Sequence, residues 1–172
     1  MPTVSIKDIN DATFKALVAH GASQDPAQEV ANATAHSEAH GNVICGLQYV
    51  ESYCLQLASG RVDGRVDPVV SAPRSSAILA DAKMGFAQPA FAKGLDQACQ
   101  IARETGIALY SVSNSHTCTS LGYFTEQIAL QGLIGLGFTN ASPVVAAPGG
   151  KSRIIGTNPI AFAAPVAGRE PM

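Results

Sequence analysis

The chain has 172 residues, 47% of them apolar and 14% charged, and carries a formal net charge of −2. That is enough length and apolar side chain for one large domain or two small ones with a genuine core, and too apolar for a disordered segment. No cluster of Lys and Arg is present to neutralise phosphates and no apolar run reaches membrane-spanning length, so neither nucleic acid nor a membrane is expected as partner; a small molecule or another subunit is.

Residues Met1–Ser5 have neither the basic nor the apolar region of a secretion signal, and Cys45, Cys54, Cys99 and Cys118 are widely spaced with no CxxC. Buried thiols and a cytoplasmic location are expected. Ser5 with Asp8 three residues later reads as a capping box. A first helix should follow, with Ile9, Phe14, Leu17 and Val18 as its apolar stripe and Gly21 at its end. Asp25 as N-cap, Pro26 at the first helical position and Gln28 two residues later then start a second helix running towards Gly41. Leu47, Val50, Cys54 and Leu57 recur at helical spacing before Gly60.

After Gly60 the pattern changes. Val66–Val70 with Pro73 reads as an extended connector, and Ala77–Ala80 as a short strand. An alternation follows: a helix over 88–104, a strand over 107–112, a helix over 122–131, a strand over 133–139 and another over 160–164. The expected fold class is therefore α/β, with a helical segment over 1–65 and a mixed α/β domain from 66 to 172.

Several chemical signatures fail. Gly150-Lys151-Ser152 resembles the end of a P-loop, but Val145 stands where the first glycine is required. Gly132, Gly135 and Gly137 do not space as GxGxxG and precede or lie inside a strand, where the dinucleotide fingerprint follows one. No GxSxG is present. His36 and His40 could face one side of a helix, but Ser37 replaces the glutamate of HExxH and no third ligand is near in sequence, so no metal is expected. His36 reads as a histidine placed near a helix end by its dipole. His40, immediately before Gly41-Asn42, can project into a cleft and suits proton transfer near neutral pH.

Two stretches concentrate backbone amides and short hydroxyl side chains. Ser113–Tyr123 lies between a strand and a helix, so its Ser and Thr side chains sit at a helix N-terminus, which favours phosphate. An ordinary Ser/Thr cap is the simpler reading, but five Ser and Thr hydroxyls exceed what a cap uses. Thr139-Asn140-Ala141-Ser142-Pro143, Pro148-Gly149-Gly150 and Gly156-Thr157-Asn158-Pro159 put Asn-containing turns and a glycine pair between two apolar runs, as a pocket for an anionic ligand would.

From about Gln88 to Met172 the chain resembles the non-Rossmann malate/L-lactate dehydrogenase family. Leu121–Glu126 and Phe138–Pro143 lie especially close to its Δ1-piperideine-2-carboxylate/Δ1-pyrroline-2-carboxylate reductase branch. The resemblance implies an NAD(P)-binding α/β domain of that family's type, NADPH or NADH as cofactor, a small-molecule substrate, and a homodimer. It implies that His116, Thr117, Cys118, Thr119, Ser120 and Leu121 contact the cofactor and that Thr157 contacts substrate. Relatives carry Asp-Ser-His-Gly with an arginine four residues after the histidine. Here Glu38-Ala39-His40-Gly41 puts Ala39 at the serine and Ile44 at the arginine, while a second register puts Gly41 at the histidine and Cys45 at the arginine. His40 is thus the candidate proton donor, with carboxylate binding unassigned.

The activity implied is reduction of a cyclic 2-imino acid. The alternatives are a 2-hydroxy-acid dehydrogenase and a non-catalytic dinucleotide-binding or assembly subunit. Relatives also continue beyond the turn at Arg169–Met172. The chain is therefore expected to be part of a catalytic unit completed by a missing C-terminal portion or a second chain.

Overall fold

The computed structural model, which describes residues 3–172, opens with helix α1 (Ile6–Ala19). The Ser5 side chain accepts the Asp8 amide at 3.0 Å and donates to the Asp8 carboxylate at 2.6 Å. Gly21, at φ +103°, takes the left-handed position just past the helix end, where a side chain would be strained. Helix α2 (Gln24–Ala39) starts earlier than the sequence suggests. Its N-cap is Ser23, which puts Asp25 and Pro26 inside the first turn. Proline is tolerated there because first-turn amides have no partner within the helix.

Ala27, Val30, Ala31, Ala33, Thr34, Ala35 and Ser37 form the buried side of α2. The Thr34 and Ser37 hydroxyls donate to the carbonyls of Val30 and Ala33 at 2.9 Å each, so burial leaves neither unsatisfied. Two 3-10 turns (Val43–Cys45 and Leu47–Tyr49) precede α3 (Val50–Ala58). The periodic apolar pattern from Leu47 is therefore helical only from Val50. Leu47 itself is exposed, and its amide donates to the Glu38 carboxylate at 2.7 Å. A side chain at position 46 would collide with that carboxylate, which is why glycine sits between the turns. Leu17, Val30, Tyr53, Leu57, Val62 and Phe86 close the core of this helical part.

Strand β1 (Val69–Arg74) occupies much of the expected connector, with Pro73 tolerated because β1 is a sheet edge. It pairs antiparallel with β2 (Ala77–Asp81), which pairs in parallel with β3 (Leu109–Ser113) through the crossover helix α4 (Ala87–Thr105). A parallel pair needs such a crossover. Ala90 of α4 packs on Ala80 and Ala82, and Gly94 faces the Tyr110 hydroxyl, which lies 2.7 and 2.8 Å from the carbonyl oxygens of Ala90 and Phe91.

The described residues form two compact units, one running to Ser120 and one of Leu121–Met172. The boundary near residue 65 marks a change of element type, and the compact units divide elsewhere. The second unit holds α5 (Leu121–Leu130), β4 (Gly135–Phe138), β5 (Val145–Ala146), β6 (Arg153–Ile155) and β7 (Ile160–Ala163). β4 pairs antiparallel with β7, and β5 with β6; these two short inner strands lie in a stretch that reads in sequence as turns. Gly135 and Gly137, paired with Ala163 and Ala161, face α5, where an added Cβ would lie 2.7 Å from the Thr125 carbonyl oxygen and 3.0 Å from its methyl. The opposite face carries Leu136, Phe138, Ile160 and Phe162, all exposed. No helix among the described residues is long and apolar enough to cross a membrane.

Candidate functional site

The segment from Asn114 to Ser120 leaves β3 and leads to α5. Its path is fixed at both ends. Asp81 accepts the Asn114 side-chain amide at 3.0 Å and the Lys83 backbone amide at 2.8 Å. The Met84 amide donates to the Asn114 carbonyl at 2.6 Å, and the His116 amide to that of Gly85 at 2.8 Å. Lys83, Met84 and Asn114 all have φ between +48° and +66°. Non-glycine residues seldom adopt that region, so this double turn is held by its bonds and not by local preference.

His116 is half-buried, its ring edge-on to Tyr53 and Phe86 at centroid distances of 6.1 and 6.3 Å. Its buried Nε2 has no hydrogen-bond partner. Burial, with the Arg61 charge adding to it, pushes its pKa below the ordinary histidine value, so the ring is neutral near pH 7. Thr117 accepts the Thr119 amide at 3.2 Å. Thr119 stands at φ +55°, a strained conformation for a β-branched residue that costs roughly 1–3 kcal/mol and persists only where the surroundings impose it. Its hydroxyl donates to the Cys118 carbonyl at 2.7 Å and accepts from Tyr53 at 3.1 Å. Leu121 is the first residue of α5. From Asn114 to Ser120 every side chain is an amide, hydroxyl, thiol or imidazole, and none is a carboxylate. That donor set, leading to the start of a helix, fits the phosphates of a dinucleotide.

His40 caps the C-terminus of α2 and is exposed. Its Nδ1 donates to the His36 carbonyl at 2.9 Å, and the two rings stack at 4.1 Å. Asn42, two residues on, lies 3.5 Å from the Ser120 hydroxyl through its side-chain amide. The segment holding the candidate proton donor is thus brought beside the candidate cofactor loop.

In the second unit the Asn158 side chain accepts the Ala141 amide at 2.9 Å, tying Thr139–Pro143 to Gly156–Pro159. Asn158 is at φ +40°, and a Cβ at Gly156 would overlap the Ala141 carbonyl. Phe138, Thr139, Asn140, Asn158, Pro159 and Ile160 line an open cleft of about 400 Å³. Thr157 is exposed next to it and does not line it. Cys54 and Cys99 are buried free thiols whose pKa values burial raises, so neither is an activated nucleophile.

Sequence reasoning missed Tyr53, Gln88, Glu38 and Asn158. Tyr53 and Gln88 act on the Thr119 hydroxyl and the Cys118 carbonyl, far from them in sequence, and Glu38 on the Leu47 amide nine residues on, where no local signal exists; Asn158 lay within a flagged motif, but its partner did not show.

Residues 4–172 match the family model for malate/L-lactate dehydrogenase, and the chain belongs to that family. It is 36% identical over 170 residues to the Δ1-pyrroline-2-carboxylate/Δ1-piperideine-2-carboxylate reductase of Pseudomonas syringae pv. tomato, covering 99% of this chain and 50% of the relative. It is 34% identical over 169 residues to a (2R)-3-sulfolactate dehydrogenase (NADP+) of Chromohalobacter salexigens, covering 98% and 50%. The crystal structure of the P. syringae Δ1-piperideine-2-carboxylate reductase superposes with a TM-score of 0.92 at 36% identity, covering 99% of this chain and 52% of that one. The chain thus spans about half the length of these relatives. The mixed α/β fold read from the sequence is the fold found.

Proposed function

We propose that the protein containing this chain is an NAD(P)H-dependent reductase of a cyclic 2-imino acid of the Δ1-pyrroline-2-carboxylate or Δ1-piperideine-2-carboxylate type. NADPH or NADH, when bound, supplies the hydride that reduces the C=N carbon beside the carboxylate. Thr117, Cys118, Thr119 and Ser120, with His116 and Leu121 flanking them, hold the dinucleotide in this reading, and Thr157 contacts the substrate.

The observation that carries the choice of substrate is the state of His40. Its Nδ1 donates to the His36 carbonyl, so in the neutral ring the proton is on Nδ1 and Nε2 has only a lone pair to offer. Donation from Nε2 requires the imidazolium. A ketone needs that proton on oxygen as hydride arrives, whereas a cyclic imine is basic enough to arrive protonated. Ala39, at the place of the serine in one register with relatives, points the same way, because it cannot orient an acid.

A second reading, a 2-hydroxy-acid dehydrogenase, is favoured by the 34% identity to the sulfolactate enzyme. NADPH oxidation assayed with Δ1-pyrroline-2-carboxylate, Δ1-piperideine-2-carboxylate, pyruvate and oxaloacetate separates the two. A higher kcat/KM with the cyclic imines is expected, and a preference for either keto acid overturns the proposal. His40→Ala should lower the rate with a ketone by about 10²-fold or more, the usual worth of an acid–base group, and that with an imine far less. Equal and small losses with both would remove His40 from the chemistry.

A further inference from the structure

Tyr53 on α3 and Gln88 on α4 are each only 1% exposed. Their polar ends meet the backbone and side chain of the loop in a closed ring. The Tyr53 hydroxyl donates to Thr119 Oγ1 at 3.1 Å, and Thr119 Oγ1 donates to the Cys118 carbonyl at 2.7 Å. Gln88 Nε2 donates to that same carbonyl at 3.3 Å and to the Tyr53 hydroxyl at 3.4 Å. We propose that Tyr53 and Gln88 are positioning residues: through this ring they hold Thr119 in its left-handed conformation and so set the shape of residues 117–120 for the dinucleotide.

Packing alone does not explain the pair. Phenylalanine and leucine would fill the same core, whereas Gln88 buries a carbonyl oxygen, Oε1, that has no partner. An unsatisfied buried acceptor is destabilising, so the amide is retained for what its other end does. That end holds the carbonyl of Cys118, immediately before Thr119, the one residue between His116 and Ser120 whose φ is left-handed. Threonine resists that conformation, and a two-point hold on its hydroxyl and on the preceding carbonyl removes the freedom to relax. Burial raises the Tyr53 pKa well above the ordinary phenol value, so the hydroxyl remains a donor throughout the neutral and alkaline range. Pre-set geometry of this kind lowers the ordering cost of binding.

The inference rests on the proposed role of residues 117–120 in cofactor binding, and the experiment separates the two. In the intact protein, NADPH affinity is measured by fluorescence titration, together with the cofactor KM, kcat and thermal unfolding, for the parent, Tyr53→Phe, Thr119→Gly, their double variant and Ser120→Leu. Tyr53→Phe should weaken NADPH binding and raise the cofactor KM about tenfold, with kcat at saturating cofactor within about twofold. In the Thr119→Gly background, where glycine accepts the left-handed conformation unaided, Tyr53→Phe should change affinity less than about twofold. Tyr53→Phe with parental affinity, or a full loss that persists in the glycine background, overturns the positioning role. If Ser120→Leu weakens binding while Tyr53→Phe does not, the loop keeps its role and only positioning falls. Parental affinity in Ser120→Leu, or no dinucleotide binding by the parent, overturns both.

Discussion

His116 links the loop to pH. Its folded pKa is held below the ordinary value by burial and by Arg61, so between the folded pKa and about 6.5 the unfolded chain binds a proton that the folded chain refuses. Stability is therefore fully present above about 6.5 and falls as the pH drops from there through the folded pKa. Denaturant unfolding at pH 7.5 and 5.5 should show a lower midpoint in acid, and His116→Asn should reduce that difference. An unchanged slope in the variant would trace the acid sensitivity to other groups. Residue types at this site were legible in the sequence, since Ser, Thr and His between a strand and a helix signal a polar ligand. Their conformation was not: the left-handed Thr119 depends on Tyr53 and Gln88, which are 66 and 35 to 30 positions away from their partners.

Elements were read well where periodicity was long. α4, the 19-residue crossover, follows its apolar spacing to within a residue or two. α2 was misread at its start because Pro26 signals a first helical position, yet a first turn accepts proline at several places. What periodicity hides is close approach between elements. At Gly94 an added Cβ would sit 2.5 Å from the Tyr110 hydroxyl, so α4 lies over β3 only because residue 94 has no side chain. Gly94→Ala raises helix propensity, which by itself favours α4 by about 1 kcal/mol. Overpacking costs about 1–3 kcal/mol and displaces the phenol from its carbonyl partners, so the net change should be destabilising. Thermal unfolding checks this, and Gly94→Ala combined with Tyr110→Phe should recover part of the loss. A single variant as stable as the parent would show that the phenol moves aside freely.

At the scale of the molecule, the second unit sorts its β4–β7 pair by size: glycine and alanine towards α5, Leu136, Phe138, Ile160 and Phe162 away from it. Alternation told which residues share a face but not which face is covered, because both sets are apolar. Contiguous exposed apolar surface binds dyes and other chains. For the 172-residue chain on its own, Phe138→Ser with Phe162→Thr should lower ANS fluorescence and concentration-dependent association, read by light scattering. No change in either would mean that the face is not accessible in solution.

The tie between Asn158 and Ala141 also bears on how the second unit comes together. Three closures are nested around the same stretch: Val145 with Ile155, Ala141 with Asn158, and Phe138 with Ile160. Each inner closure shortens the free loop that the next must gather, and chain entropy rewards that only weakly, about 0.6 kcal/mol per doubling of length. Assembly from the inside outward is the expected order, with Asn158 as its middle step. The Ala141 and Asn158 turns would then be tied together before the outer strands pair, and the cleft, which Phe138 and Ile160 also line, is completed last. Asn158→Ala should slow refolding of the second unit more than it speeds unfolding, and leave the Ala141 amide open to hydrogen exchange.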